Sequence, residues 1–478
     1  MRNGKLAGRL MQNTRSFQSI TSKETLVEVK PASTQDITSC NRIASMKRRL
    51  QPEAPDENNM VSIYRVPANM RQVNTKAYDP NIVSIGPFNR GLDRLRGMEE
   101  VKWKFLRRLL DPNLGHQVTL ESLFDDMKSL EDRARKCYSE TIKLGSDEFI
   151  ETMILDGCFI IELFRESIKP KNMNEPFFTI QRMVHLLRRD FIMLENQLPL
   201  FVLRKLFDLT AVPTTSSTMM SLQELALNFF GPLMSRVRNP PNQIKVKAGH
   251  CGNHLLDLFH ASILPSHPIH CGHQGHVFRS ATELEESGVK IEEGKHHGPL
   301  DVSLKIKGKG WGPLDGLFRT GVLKIPPLSI EDYTGTLFCN LVAFEQCHPQ
   351  CSPDFTTYLF FLDGLINSAN DVELLHYSGV IQHSLGSDDE VARLVNSLCK
   401  EIALDMDNSY LCMQSKDLYN YCNDDWVRLR ATVVHKYFSN PWAKFTTIAT
   451  ILIFLVANIK KLGNFVSYMS SLSKNKNM

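Results

Sequence analysis

Apolar residues recur at helical spacing over most of the chain. One apolar face runs from Met98 to Leu109, and Pro112 ends the predicted helix. Ser221 and Glu224 form a capping box before the apolar residues of another helix. Pro353 and Ser387 lie in further helix-start signals. The same spacing predicts helices over 120–134, 146–164, 183–209 (in two pieces divided by Pro199), from about 337, from 354 and over 387–398.

Strand patterns are fewer and lie close together. From Leu300 to Lys307 apolar and polar residues alternate strictly, which is typical of a half-buried strand. Val289–Ile291 and Val322–Ile325 are its predicted partners across Gly-rich turns. Val83–Phe88, which contains Gly-Pro, predicts one more short strand. The pattern therefore predicts a mainly α-helical (α+β) fold with a small β-sheet insertion.

Composition separates a basic N-terminal extension from the body of the chain. Apolar residues make up 42% of the 478 residues and charged residues 23%, which is ordinary globular usage. Residues 1–60 lack sustained periodicity and are predicted to be a disordered basic extension, since residues 1–50 alone carry a net charge of +7. We predict one large helical domain over residues 61–440. The net charge of only +4 disfavours a nucleic-acid-coating protein.

Several features bear on the compartment. The eleven cysteines have no regular spacing, and no Asn-x-Ser/Thr sequon occurs, so we expect a cytosolic body. No apolar segment follows Met1 as in a secretory signal peptide. Residues 1–23 contain five Lys/Arg and no acid, which fits either an organelle transit peptide or a solvated basic tail.

An uncharged apolar run lies near the C-terminus, from Phe445 to Ile459. Lys444 and Lys460 bracket this run, and Trp442 precedes it, as expected for residues at membrane interfaces. Its 15 residues span only about 22 Å as a helix, so snorkelling lysines must help it to cross a bilayer. We predict a single-pass, tail-anchored transmembrane helix followed by a short basic tail, 460–478. The alternative is a buried core helix.

Histidine and cysteine are concentrated in residues 250–276, where they offer nitrogen and sulfur ligands for zinc. The candidate ligands are His254, His270, Cys271 and His273. Their spacing matches no standard zinc finger or metalloprotease, and a low-complexity polar loop is the alternative interpretation. We therefore assign no metal and no cofactor.

Two carboxylates near Pro199 are the candidates for acid–base chemistry. Asp190 and Glu195 lie at a helix–turn junction, where carboxylates also commonly accept hydrogen bonds from backbone N–H groups. No phosphate-binding loop or nucleophile elbow is present in the sequence. We therefore assign no catalytic residue and favour a non-enzymatic protein, with a hydrolase-like enzyme or a zinc-binding protein as the alternative.

Ordered motifs over residues 61–460 resemble the plant domain-of-unknown-function family 247. The motifs that carry the resemblance are Ile63–Pro67, Ala77–Pro80, Val83–Phe88, Met98–Trp103, Leu194–Pro199, Ser280–Leu284, Gly288–Lys290, Asn340–Cys347 and Tyr437–Ala443.

The resemblance implies a plant protein with a mostly helical domain and a C-terminal transmembrane helix. It implies no established reaction. Some relatives take part in recognition, including pollen self-incompatibility in grasses. We therefore expect a membrane-tethered interaction or recognition protein with its large domain in the cytosol. Its expected partners are the bilayer, through 445–459, and an unknown protein, but no nucleic acid.

Overall fold

The computed structural model describes residue 46 and the ranges 61–111, 118–169, 183–211, 220–233, 252–265, 277–294, 298–307, 319–405, 407, 409–438 and 441–475. The chain divides after Asn59, and the elements below belong to the second unit, Met60–Met478. The prediction that residues 1–60 are disordered falls outside the described residues, apart from Met46.

Helices dominate this unit, as the apolar periodicity predicts. In chain order the α-helices of the described residues are α1 (Ala68–Val73), α2 (Arg96–Leu109), α3 (Leu120–Arg135), α4 (Ser146–Ser167), α5 (Val184–Phe191), α6 (Leu200–Leu209), α7 (Leu222–Phe230), α8 (Leu255–Ile263), α9 (Ala281–Glu286), α10 (Thr334–Cys347), α11 (Asp354–Leu365), α12 (Ala369–Tyr377), α13 (Asp388–Leu398), α14 (Cys412–Cys422), α15 (Asp425–Phe438) and α16 (Pro441–Asn475). Short 3-10 turns lie at Thr75–Ala77, Asp93–Leu95 and Gly231–Leu233.

Helix α4 lies at the centre of the core. From Phe149 to Phe164 only Glu151 is exposed, and most of the buried side chains, which point to every side, are apolar. A helix that is hydrophobic all round must be covered on all sides, and α2, α3, α6 and α7 pack around it. Gly157 lets α6 pack closely on α4, because a Cβ there would overlap the Leu206 side chain.

The predicted sheet is present at the predicted place. Its strands are β1 (Val289–Glu293), β2 (Ser303–Lys307) and β3 (Thr320–Ile325), in the spatial order β1-β3-β2. β1 runs parallel to β3 and β2 runs antiparallel to it. A separate parallel pair joins β4 (Leu328–Ile330) to β5 (Ile381–His383). The architecture is therefore mainly helical with a small mixed sheet, which confirms the predicted fold class.

The strand predicted at Val83–Phe88 is wrong. This segment is irregular, although Val83 and Ile85 are buried as its pattern suggests. Its backbone N–H groups pair with side chains instead of a neighbouring strand. Val83, Ser84 and Ile85 are therefore all buried, and their segment is held by side chains and not by strand pairing.

Candidate functional site

The residues between α5 and α6, together with the last turn of α5, form a buried polar turn, Asp190–Pro199. Pro199 ends the turn at the start of α6, as expected for a residue that disrupts a continuous helix. Polar side chains of this turn are almost completely buried. Such side chains need hydrogen-bond partners, and those partners lie far away in sequence.

Asp190 binds the backbone that precedes α2. One of its oxygens accepts a hydrogen bond from Asn81 N at 2.9 Å, and the other accepts from Ile82 N at 2.8 Å and Val83 N at 3.0 Å. Burial raises the pKa of Asp190, and the three N–H donors oppose that rise because they stabilise the carboxylate. Both oxygens are therefore used to hold an irregular segment in place.

Glu195 also uses both of its carboxylate oxygens to bind a distant part of the chain. Its Oε1 accepts from Val66 N at 2.8 Å and from Arg71 at 2.6 Å, while its Oε2 accepts from Arg65 at 2.7 Å. The side chain is only 4% exposed, and the two guanidinium groups compensate its charge. The two predicted acid–base candidates are thus bound by backbone N–H groups and arginines.

Asn196 and Gln197 complete the polar turn. Asn196 accepts from Ile85 N and donates to the carbonyl oxygens of Val83 and Asp190. Gln197 donates to the carbonyl oxygens of Phe191 and Met193 and accepts from Leu256 N at the start of α8. These two side chains therefore tie the turn to the segment before α2 and to the start of α8.

Gly86 passes close to this turn. It has φ +71°, and a Cβ there would lie 2.5 Å from the Gln197 carbonyl oxygen, so only glycine fits. Its N–H donates to Asp156 in α4. The motifs at 63–67, 83–88 and 194–199 thus meet around one turn. Their hydrogen bonds hold these segments of the fold together.

A buried ion pair lies beside Gly86. Lys102 Nζ is 2.6 Å from Asp156 Oδ1, and both side chains are fully buried. Lys102 also donates to the Ser84 carbonyl oxygen and to Glu99. Burial raises the pKa of Asp156, and the lysine opposes this rise because it stabilises the carboxylate.

His254 is the one predicted zinc ligand inside the described ranges; His270, Cys271 and His273 lie outside them. The His254 ring caps α8, because Nδ1 accepts from Asp257 N at 3.2 Å and Nε2 lies 2.9 Å from the Ser62 carbonyl oxygen. Burial lowers the pKa of His254 to about 4. Both ring nitrogens are therefore engaged with backbone atoms in a neutral imidazole.

A second buried histidine, His260, lies close to two side chains that could bind a metal ion. His260 Nε2 is 2.6 Å from Glu345 Oε1, and both side chains are buried. The same carboxylate accepts from the Phe355 and Thr356 backbone N–H groups at the start of α11. Cys351 completes the group, with Sγ 3.9 Å from His260 Nδ1. Sequence reasoning placed His260 in the His/Cys-rich region but missed Glu345 and Cys351.

An open groove of about 580 Å³ lies between β1 and α12. Among the strands that the structure describes, β1 lies at the edge of its sheet, and α12 forms the opposite wall of the groove. The charged side chains that line this acidic groove are Glu285, Lys290, Glu292, Glu293 and Glu373. Tyr377 also lines it and is 80% exposed.

The C-terminal helix α16 contains the predicted membrane-anchor residues. Within the described chain, its segment Phe445–Asn464 is the one helix long and apolar enough to cross a membrane. None of that segment is buried against the rest of the protein, and Phe445 and Ile459 are 72% and 69% exposed. Lys460 is exposed too, whereas the side chains of Trp442 and Lys444 lie outside the described set.

The fold and these features define a class: a mainly helical protein built around a polar turn, with an exposed apolar helix near its C-terminus. The sequence profile of the family DUF247, whose description is a plant protein of unknown function, matches residues 63–456. The chain therefore belongs to this plant family, which confirms the resemblance seen in its motifs.

Two proteins of Arabidopsis thaliana are similar to the chain along most of its length. The UPF0481 protein At3g47200 is 29% identical over 442 residues, which cover 87% of this chain and 88% of that protein. The putative UPF0481 protein At3g02645 is 23% identical over 482 residues, with coverage of 84% and 89%. No solved structure matches the chain.

Proposed function

We propose that this plant protein is a non-enzymatic interaction protein tethered to a membrane by α16. The observation that carries the tether is the exposure of the large apolar side chains in this helix. These side chains are Phe445, Ile448, Ile451, Leu452, Ile453, Phe454, Leu455, Val456 and Ile459, each at least 50% exposed. Transfer of these nine side chains into lipid, at roughly 1.5–3 kcal/mol each, is favourable by roughly 14–27 kcal/mol before insertion costs.

The dimensions of the helix fit this role. The 20 residues from Phe445 to Asn464 extend about 30 Å, the thickness of a bilayer hydrocarbon core. Lys460 and Lys461 lie in its last part, from which long side chains can reach the headgroups. The span is therefore longer than the uncharged run that the sequence alone suggests.

We also propose that the large domain faces the cytosol. The eight cysteines within the described residues are all free thiols, as expected in a reducing compartment. The absence of sequons in the whole chain agrees with that placement. Protease protection of intact microsomes tests the orientation: we expect the domain to be digested without detergent, whereas protection would place it in the lumen.

Alkaline carbonate extraction tests the tether. We expect the full-length protein to remain in the membrane pellet and a variant that ends at Ala443 to become soluble. A double variant in α16, Thr446→Ala with Thr447→Ala, keeps the apolar surface and serves as the matched control. Recovery of the intact chain in the soluble fraction without detergent would show that α16 is not an anchor.

The acidic groove supports the interaction role. An edge strand offers unpaired backbone groups to an extended segment, which can add to the sheet as another strand. Four glutamates and one lysine line the groove, so a segment rich in Lys or Arg fits its charge. We therefore propose that the partner is a protein with an exposed basic, extended segment.

Charge reversal tests the groove. We expect a partner protein that cross-links to the wild type to be lost with a Glu292→Lys, Glu373→Lys variant. A control variant, Glu100→Lys with Glu148→Lys, should still cross-link to it. The control residues are exposed and do not line the groove. A synthetic peptide with the sequence of the partner's basic segment must also bind to the purified protein. Equal binding by both variants would exclude the groove as the docking site.

A further inference from the structure

The thiol of Cys351 lies beside an imidazole whose orientation is fixed. Cys351 Sγ is 3.9 Å from His260 Nδ1, and Glu345 Oε1 is 2.6 Å from Nε2 on the opposite side of the ring. α8 carries His260, α10 carries Glu345, and Cys351 lies in the connection to α11. Three elements thus bring the ligand atoms of these residues within 4.8 Å of one another.

Glu345 determines the tautomer of this histidine. A carboxylate oxygen only accepts hydrogen bonds, so Nε2 must carry the proton. In the neutral ring the lone pair is then on Nδ1, which faces the sulfur. Glu345 is itself fixed by Phe355 N, Thr356 N and the Thr356 hydroxyl. This is the arrangement in which a carboxylate orients a histidine toward a metal ion.

The surroundings of the thiol are negative. Burial raises the pKa of Cys351, and the carboxylates of Glu345, Asp257 and Asp354 raise it further. A thiol with such neighbours is a poor free nucleophile, because its thiolate is disfavoured. A bound cation reverses the effect, since it compensates the negative charge and stabilises the thiolate.

We propose that His260 Nδ1 and the Cys351 thiolate bind a divalent cation of the zinc class, with Glu345 as the positioning residue. Zinc–nitrogen distances of about 2.0 Å and zinc–sulfur distances of about 2.3 Å place two tetrahedral ligands about 3.5 Å apart, close to the separation seen here. The thiol proton leaves to solvent when the metal–sulfur bond forms. Cys351 is only partly buried, which gives the ion a route from solvent.

Cobalt titration of the full-length protein in detergent, after treatment with a chelator, tests this site. We expect one Co²⁺ per chain with a thiolate-to-cobalt absorption band that Zn²⁺ removes. Cys351→Ser should abolish the band, and Glu345→Gln should weaken binding by roughly 10- to 100-fold. Cys399→Ser, which removes another partly buried thiol, should leave the titration unchanged.

The two variants are chosen so that loss of the metal site can be distinguished from loss of the fold. Cys351→Ser replaces sulfur by oxygen at nearly constant shape, and its thermal unfolding verifies that the fold is kept. Glu345→Gln retains an acceptor for the α11 N–H groups, so it preserves the cap better than alanine. Absence of the band in the wild type, or its persistence in a folded Cys351→Ser protein, would overturn the proposal.

Discussion

Buried carboxylates have structural partners at the scale of single residues. Asp190 accepts three backbone hydrogen bonds, and Glu195 binds one backbone N–H and two arginines. Both oxygens of each carboxylate are held by these partners, so each side chain is fixed in place. These properties oppose a role in proton transfer and favour one in fold specificity.

Asp190→Ala should destabilise the protein by roughly 3 kcal/mol or more, because three N–H groups would lose their acceptor. Asp190→Asn should recover part of this loss, since one acceptor oxygen remains. Urea unfolding of the detergent-solubilised protein measures both effects. The control, Asp79→Ala, removes a half-exposed carboxylate paired with Arg71 and should cost less than about 1 kcal/mol. Equal losses for Asp190→Ala and Asp79→Ala would contradict this account.

His254 predicts a dependence of stability on pH. Its pKa is about 4 in the folded protein against 6.5 as the ordinary value, so below pH 6.5 the unfolded state binds a proton that the folded state does not. The stability due to this group is complete above pH 6.5. It falls as the pH drops toward 4, by up to roughly 3 kcal/mol.

His254→Asn tests the prediction, because asparagine caps a helix but does not titrate. We expect the variant to be less stable at pH 8 and to approach the wild type at pH 5 in urea unfolding. His435→Asn is the control with opposite sign, since a hydrogen bond to Glu286 raises the pKa of exposed His435. A constant difference between wild type and His254→Asn at both pH values would refute the assignment.

Local chemistry could be predicted better than distant contacts. The sequence places Asp190 and Glu195 at a turn and leaves two roles open, and only the structure supplies their partners. His260 and Cys351 are 91 residues apart, so no spacing rule brings them together. Neither Glu345 nor Cys351 shows a ligand motif, although Glu345 lies inside a family motif.

At the scale of elements, the contact between α2 and α4 depends on a lysine. Lys102 is on a predominantly apolar face and fully buried, where it binds Asp156. Its loss leaves a buried carboxylate without its cation, which is costly.

Lys102→Met should destabilise the protein by roughly 3–5 kcal/mol in urea unfolding. The matched control is Lys169→Met, because Lys169 is 55% exposed and its partner Glu166 keeps a second ion pair with Arg108. The double variant Lys102→Met, Asp156→Asn should regain part of the stability, since asparagine is neutral and still accepts from Gly86 N. No recovery in the double variant would show that the charge is not the cause.

Helices could be predicted because their signals are local. Ser221 and Ser387 cap α7 and α13 as predicted, since a cap binds an N–H three residues away. Strand pairing is different because a strand needs a partner elsewhere. Val83–Phe88 has strand-like alternation, but the side chains that bind it come from residues 156, 190 and 196.

At the scale of the whole molecule, α16 differs from the rest of the protein in the exposure of its apolar side chains. The domain buries its own apolar surface, whereas α16 presents its apolar surface to the outside. The uncharged run and its flanking lysines predicted this helix from sequence, whereas the exposure of its side chains is seen only in the structure.

Ile453→Asp should reduce membrane retention, because a carboxylate near the middle of a span costs about 2.5–3.5 kcal/mol. The measurement is the fraction in the carbonate pellet, with Ile453→Val as the matched control. We expect unchanged thermal unfolding of the domain in detergent, since Ile453 is 70% exposed. Full retention of Ile453→Asp would argue against a spanning helix.

The order of folding follows from the sequence separation of the contacts at the polar turn. Asp190 reaches back over more than 100 residues, and the Asn340 side chain joins Leu194 N to the carbonyl oxygen of Ala77, 263 residues before it. Such distant pairs close large loops, so they form after the local helices. The segment before α2 therefore docks late, and loss of its contacts accelerates unfolding more than it slows folding. In a newly made chain this segment stays exposed until the polar turn has been synthesised, and its contact at Ala77 forms only after α10.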